Sequence, residues 1–142
     1  MWCIIVVVMD CLLLNGESFM EDCRVLVVED DDVARTMLAR EIQKEGYIVL
    51  TAENGRVGME VFEKENPHIV ISDLKMPEMS GMEVLKKIKQ VSPATLFILM
   101  SSYGEMDTVI EALRAGAFDY IKKPIDLDLL TQILKRAQEE AV

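Results

Sequence analysis

From Arg24 onward, short apolar runs alternate with longer stretches in which apolar residues recur at helical spacing. The runs are Arg24-Val25-Leu26-Val27-Val28, Tyr47 to Ala52, Ile69-Val70-Ile71-Ser72, Leu96-Phe97-Ile98-Leu99-Met100 and Tyr120-Ile121-Lys122. They are rich in Val, Ile and Leu and lack strict polar alternation, the pattern of parallel strands buried on both faces. Between them, Val33, Met37, Leu38 and Ile42 predict the inward face of a helix over about 32–45. Val57, Val61 and Phe62 do the same over about 55–65, and Met82, Leu85 and Ile88 over about 81–91. A fourth helix is predicted over about 105–115, and a last one over about 126–139 with Leu129, Leu130, Ile133 and Leu134 inward. Gly46 and Gly116 stop the helices before them, and Asn66-Pro67 and Ser92-Pro93 break the chain ahead of the next strand.

Five strands alternating with five helices predict a doubly wound α/β domain with a parallel sheet. Ligands of such sheets sit beyond the carboxyl ends of the strands, where the strand order reverses. Four runs end in residues suited to phosphate chemistry: Glu29-Asp30-Asp31, Asp73, Ser101, and Lys123-Pro124. They are expected to converge on one rim. Three crowded carboxylates repel and raise one another's pKa unless a cation intervenes. A small hard cation that keeps several waters, Mg²⁺, fits a site of carboxylate and phosphate oxygens. Asp31 and Asp32 are expected to start the first helix, where negative charge meets the helix dipole favourably.

With 142 residues, 51% hydrophobic and 28% charged, the chain suits one globular domain with a proper core. A formal charge of −10 argues against this chain itself gripping DNA, because phosphate contacts need Lys and Arg. Trp2 to Leu14 is apolar but interrupted by Asp10 and, at 13 residues, too short to span a bilayer. No Lys or Arg precedes Arg24, so a secretory signal lacks its positive n-region. Residues 1–22 are therefore read as an apolar extension of unassigned role, with Met20 a natural start, and residues 23–142 as the functional domain. Cys3, Cys11 and Cys23 match no zinc spacing and are read as reduced thiols of a cytoplasmic protein.

The motifs V-V-E-D-D, S-D-L-K-M-P-E-M-S-G, L-M-S-S-Y-G and A-G-A-F-D-Y-I-K-K-P, in that order, resemble the receiver domain of bacterial two-component response regulators. The resemblance covers about 24–138 and implies strand order 2-1-3-4-5. It implies that Asp73 accepts a phosphoryl group from a sensor histidine kinase or phosphotransfer protein, a carboxylate acting as nucleophile. It further implies that Asp30, Asp73 and the Lys75 carbonyl ligate Mg²⁺, with Glu29 acting mainly through water. The same resemblance implies that Lys123, before Pro124 and often across a cis bond in the family, reaches a phosphoryl oxygen and that Ser101 donates to the same group. It also implies that Tyr120 reorients with Ser101 and that Lys75 and Tyr103 tune dephosphorylation. The wording is closest to receivers of transcriptional activators, with the fourth helix, fifth strand and fifth helix forming the output and homodimer face.

Two other classes compete for the same pattern. A phosphatase of the haloacid-dehalogenase type also uses a strand-end aspartate and Mg²⁺, but needs a second aspartate where this chain has Lys75. A flavodoxin-like cofactor binder needs a first loop of Gly, Ser and Thr to cradle phosphate, and Glu29-Asp30-Asp31-Asp32 repels one. A receiver used only for docking, without phosphorylation, usually lacks the aspartate, the acidic pair or the lysine, and all are present here.

Overall fold

The structure, a computed structural model, describes residues 23–141. Its elements are β1 (Arg24–Val28), α1 (Asp32–Lys44), β2 (Ile48–Ala52), α2 (Gly55–Glu65), β3 (Ile69–Asp73), α3 (Gly81–Val91), β4 (Leu96–Ser101), α4 (Met106–Arg114), β5 (Asp119–Lys122) and α5 (Leu127–Ala141). The sheet is entirely parallel in the order β2-β1-β3-β4-β5, as the motif resemblance implies. Residues 1–22, read above as an apolar extension, lie outside the described residues.

Successive side chains of a strand point to opposite faces, and the sheet uses this to build two cores. Val25, Val27, Ile69, Ile71, Ile98 and Met100 pack under α1 and α5, against Leu38, Ile42, Leu130, Ile133, Leu134 and Ala137. Leu26, Val28, Val70, Phe97 and Leu99 pack under the other three helices, against Phe62, Leu85, Ile88, Val109 and Ala112. All eleven strand residues named are fully buried. This explains why the strands read as continuous apolar runs.

Local chemistry sets the helix starts. Asp31, Asn54 and Ser80 are N-caps whose side chains accept from Val33 N, Val57 N and Glu83 N. Asp126 accepts from Asp128 N and Leu129 N at the start of α5. Gly46 and Gly116 take positive φ, 98° and 111°, where the chain leaves α1 and α4.

Three residues expected to face inward do not. Val33 and Met37 are 75% and 49% exposed, and Leu129 is 42% exposed. A helix turns about 100° per residue, so Leu38 and Ile42 define a buried stripe that leaves Val33 and Met37 to one side. Leu129 stands one residue away from the buried set Leu130, Ile133, Leu134 and Ala137. In both helices the sheet needs only one narrow stripe, and the apolar pattern is wider than that stripe.

Candidate functional site

The strand register assembles the rim. Val28 pairs with Ser72, Asp73 with Met100, and Ser101 with Lys122. Each functional residue stands at, or one or two steps past, the last paired residue of its strand. Glu29 and Asp30 thus follow β1, Asp73 ends β3, Ser101 ends β4, and Lys123 follows β5. The backbone links these ends: Leu74 N donates to Met100 O (3.0 Å), and Lys123 N to Ser101 O (2.7 Å).

Lys123 is the charge hub. Its Nζ donates to Asp73 Oδ2 at 2.8 Å and to Glu29 Oε2 at 3.0 Å. Burial alone would depress the lysine's pKa, but the hydrogen bonds and charges of Asp73 and Glu29 outweigh it and hold the ammonium above its ordinary range. Burial pushes the Glu29 carboxyl up; the Lys123 hydrogen bond opposes this only in part, and the Asp73 charge adds to the rise. Glu29 and Asp73 are buried while Asp30 is exposed, and one carboxylate oxygen from each lies within 4.8 Å of the other two. The one ammonium pairs with two of these three carboxylates, so the rim is short of positive charge. An all-oxygen donor set with that deficit suits a hard divalent cation.

Around this centre the expected residues divide. Ser101 is buried at the end of β4, beside a cleft of about 270 Å³ that Tyr103, Glu105, Val109 and Lys122 also line. Tyr120 is half-buried against the α2–α3–α4 core layer. Tyr103 is fully exposed. The Lys75 side chain is likewise exposed, and its Nζ lies 3.9 Å from Glu105 Oε2. The Lys123–Pro124 peptide bond is cis.

Glu105, expected inside the fourth helix, instead precedes α4 and turns its buried side chain back to accept from Ser102 N at 2.5 Å. Its Oε2 is buried without a hydrogen-bond partner. The bond from Ser102 N to a carboxylate three residues on copies one half of a capping box, but it closes the loop ahead of the helix and not the helix's first turn. Two further residues escaped the sequence reading. Gly81 packs on the Asp73 backbone, and Arg35 Nη1 donates to the Glu29 carbonyl at 2.8 Å. Nothing in the order of residues announces either contact, because both depend on how two loops approach.

Fold and rim define a flavodoxin-like α/β domain with an acidic site at its topological switch point. The chain belongs to the response regulator receiver domain family, whose model matches residues 25–135. It is similar to the regulatory protein AtoC of Escherichia coli K12, 43% identical over 114 residues that cover 80% of this chain and 25% of AtoC. The DNA-binding transcriptional regulator NtrC of the same organism is 37% identical over 113 residues, covering 80% of this chain and 24% of NtrC. The chain therefore spans about a quarter of the length of these relatives. Among solved structures, a response regulator receiver domain protein from Clostridium thermocellum superposes with a TM-score of 0.79 at 31% identity, covering 81% of this chain and 93% of that one. Among the described residues no helix is long and apolar enough to cross a membrane.

Proposed function

We propose that residues 23–142 form a phosphorylation-driven switch of a two-component system in the bacterial cytoplasm, with Asp73 as the acceptor. The observation that carries this reading is the Lys123 ammonium, 2.8 Å from Asp73 Oδ2 at the centre of a carboxylate rim. An Asp73 oxygen attacks phosphorus as the phosphorus–nitrogen bond to a kinase or phosphotransfer histidine breaks, and the imidazole leaves with the electron pair. Lys123, already paired with Asp73, follows the charge onto a phosphoryl oxygen. Asp30, Asp73 and the Lys75 carbonyl would hold Mg²⁺, with Glu29 reaching it through water. Bound there, Mg²⁺ would supply positive charge to offset that of the carboxylates and the incoming phosphoryl group. Water later hydrolyses the acyl phosphate, at a rate tuned by Lys75 and Tyr103. The protein is a signalling switch whose only chemistry is its own phosphorylation and dephosphorylation.

The output face in this reading is α4–β5–α5. Phosphoryl adds charge and acceptor oxygens at Asp73; Ser101 moves in to donate, and Tyr120 follows. Met106, Ile110, Leu113 and Leu129 are 38–42% exposed, which supports a contact surface or a homodimer there. The names of the relatives point to transcriptional output, delivered by a partner or further domain rather than by DNA contacts of this acidic chain.

The test is incubation with acetyl phosphate or with the phosphoryl mimic beryllium fluoride, with and without Mg²⁺. One site should be modified or occupied only when Mg²⁺ is present. Asp73→Asn should abolish labelling, and Asp31→Asn should leave it largely intact. Labelling of Asp73→Asn that resists hydroxylamine would overturn the assignment.

A further inference from the structure

Asp30 is exposed, and a single side chain holds each of the peptide planes beside it. The Glu29–Asp30 peptide presents Glu29 O, which accepts from Arg35 Nη1 at 2.8 Å. The Asp30–Asp31 peptide presents Asp31 N, which donates to Glu29 Oε1 at 3.2 Å. Peptide units are planar, so fixing two neighbouring planes fixes the direction of the Cα–Cβ bond between them. Glu29 O lies just beyond β1 and outside the β1–β3 pairing, which ends at Val28. A carbonyl in that place needs a donor, and Arg35 reaches back from near the start of α1 to supply it. The Arg35 side chain is only 17% exposed, and its other terminal nitrogen pairs with Asp32.

We propose that Arg35 is a positioning residue for the divalent cation, holding the Glu29–Asp30 peptide so that the Asp30 carboxylate is presented toward Asp73. The inference rests on the reading that these carboxylates bind Mg²⁺. It has a distinctive sign. If Arg35 acted only as a nearby positive charge, it would repel the cation, and neutralising it would tighten binding. If it positions Asp30, neutralising it weakens binding, because the carboxylate must first be ordered.

The experiment is a Mg²⁺ titration of the full chain, followed through backbone amide resonances, for wild type, Arg35→Gln and Arg35→Lys. Arg35→Gln should raise the Mg²⁺ dissociation constant about three- to tenfold, the scale of one lost hydrogen bond. Arg35→Lys keeps the charge but not the planar fork that serves Glu29 O and Asp32 together. It should therefore fall between wild type and Arg35→Gln, with a native amide spectrum. An unchanged or lowered dissociation constant in a folded Arg35→Gln overturns the inference. If Arg35→Gln does not fold, wild-type affinity in Arg35→Lys overturns it. Wild-type protein that binds no Mg²⁺ sinks this inference together with the proposed function. Normal wild-type binding that Arg35 substitutions leave untouched sinks this inference alone.

Discussion

A Cβ placed on Gly81 would lie 2.2 Å from the carbonyl oxygen of Asp73 and 3.0 Å from the Leu74 Cα. The start of α3 thus rests directly on the backbone of the proposed acceptor, and Gly81 N donates to Leu74 O at 2.9 Å. The contact requires glycine because it is made backbone to backbone, and neither side can yield without moving Asp73.

Gly81→Ala is therefore expected to cost about 1–3 kcal/mol in urea unfolding, as overpacking does, and to impair acyl phosphate formation more than the stability loss explains. Gly104→Ala is the contrast. Its Cβ meets nothing within 4 Å, but its φ is +88°, a left-handed conformation costing about 1–2 kcal/mol. Acceptance at Asp73 should survive that change. Equal labelling of the two variants would sink the positional argument.

Lys123→Ala should expose the repulsion it now offsets. Lys123's pKa is raised in the folded protein, so its stabilising contribution is complete below its ordinary value and lost as pH climbs through the folded one. Glu29's raised pKa works against stability above the usual carboxylate range, and the penalty eases as pH falls. Without the ammonium, the protein should lose about 2 kcal/mol at neutral pH, the scale of breaking a partly buried pair. The deficit should narrow as pH falls and Glu29, whose carboxyl is held above its ordinary range, takes up a proton, and on adding Mg²⁺. Unfolding curves across pH, with and without Mg²⁺, check this.

Tyr47 offers a titration far from the rim. Burial lifts its phenol to about 12, with the charges of Cys23 and Glu45 adding to the rise, and its hydroxyl hydrogen-bonds to Gln138 at 3.2 Å. The folded pKa is the higher one, so this contribution is whole below pH 10 and drains away between 10 and about 12. Phenolate absorbance should show Tyr47 ionising only as pH approaches about 12. Tyr47→Phe should cost about 0.5–1.5 kcal/mol at neutral pH and soften the alkaline loss of stability.

Ser101→Ala separates acceptance from propagation. In the wild type, amide shifts on adding beryllium fluoride should concentrate at 101–113 and 120–129. The variant should still be occupied at Asp73 but lose most of those distant shifts. Shifts confined in the wild type to the loops of Asp30, Asp73 and Lys123 would rule out signalling through α4–β5–α5.

A chain beginning at Met20 should fold and label like the full one. Among the described residues both faces of the sheet already carry a packed core, and no proposed site residue precedes Glu29. Stability should match within about 0.5 kcal/mol, the range for changes that touch no packed feature. Unfolding of the shortened chain would make the first residues part of the core.

The order of elements and the identity of the rim were open to reading in the sequence, because they depend on local patterns. Runs such as Ile69-Val70-Ile71-Ser72 are short, β-branched and set off by turn signals, as buried strands are, and in a parallel sheet all strand ends face the same way. Asp73, Ser101 and Lys123 were therefore bound to share an edge. Periodicity was a poorer guide to burial at Val33, Met37 and Leu129, since an apolar residue says nothing about how wide a stripe the sheet can cover.

What only the tertiary structure decided are the contacts between segments remote in sequence. Lys123 meets Glu29 across 94 residues and Asp73 across 50, at distances set by register and not by composition. Gly81 against the Asp73 carbonyl, Arg35 on the Glu29 carbonyl, and Glu105 turned back to Ser102 are nearer in sequence but depend equally on how the loops close. Each satisfies or excludes a backbone group whose position exists only once the loops have closed. The sequence holds the residues that can react, and packing of the loops around them settles which atoms they meet.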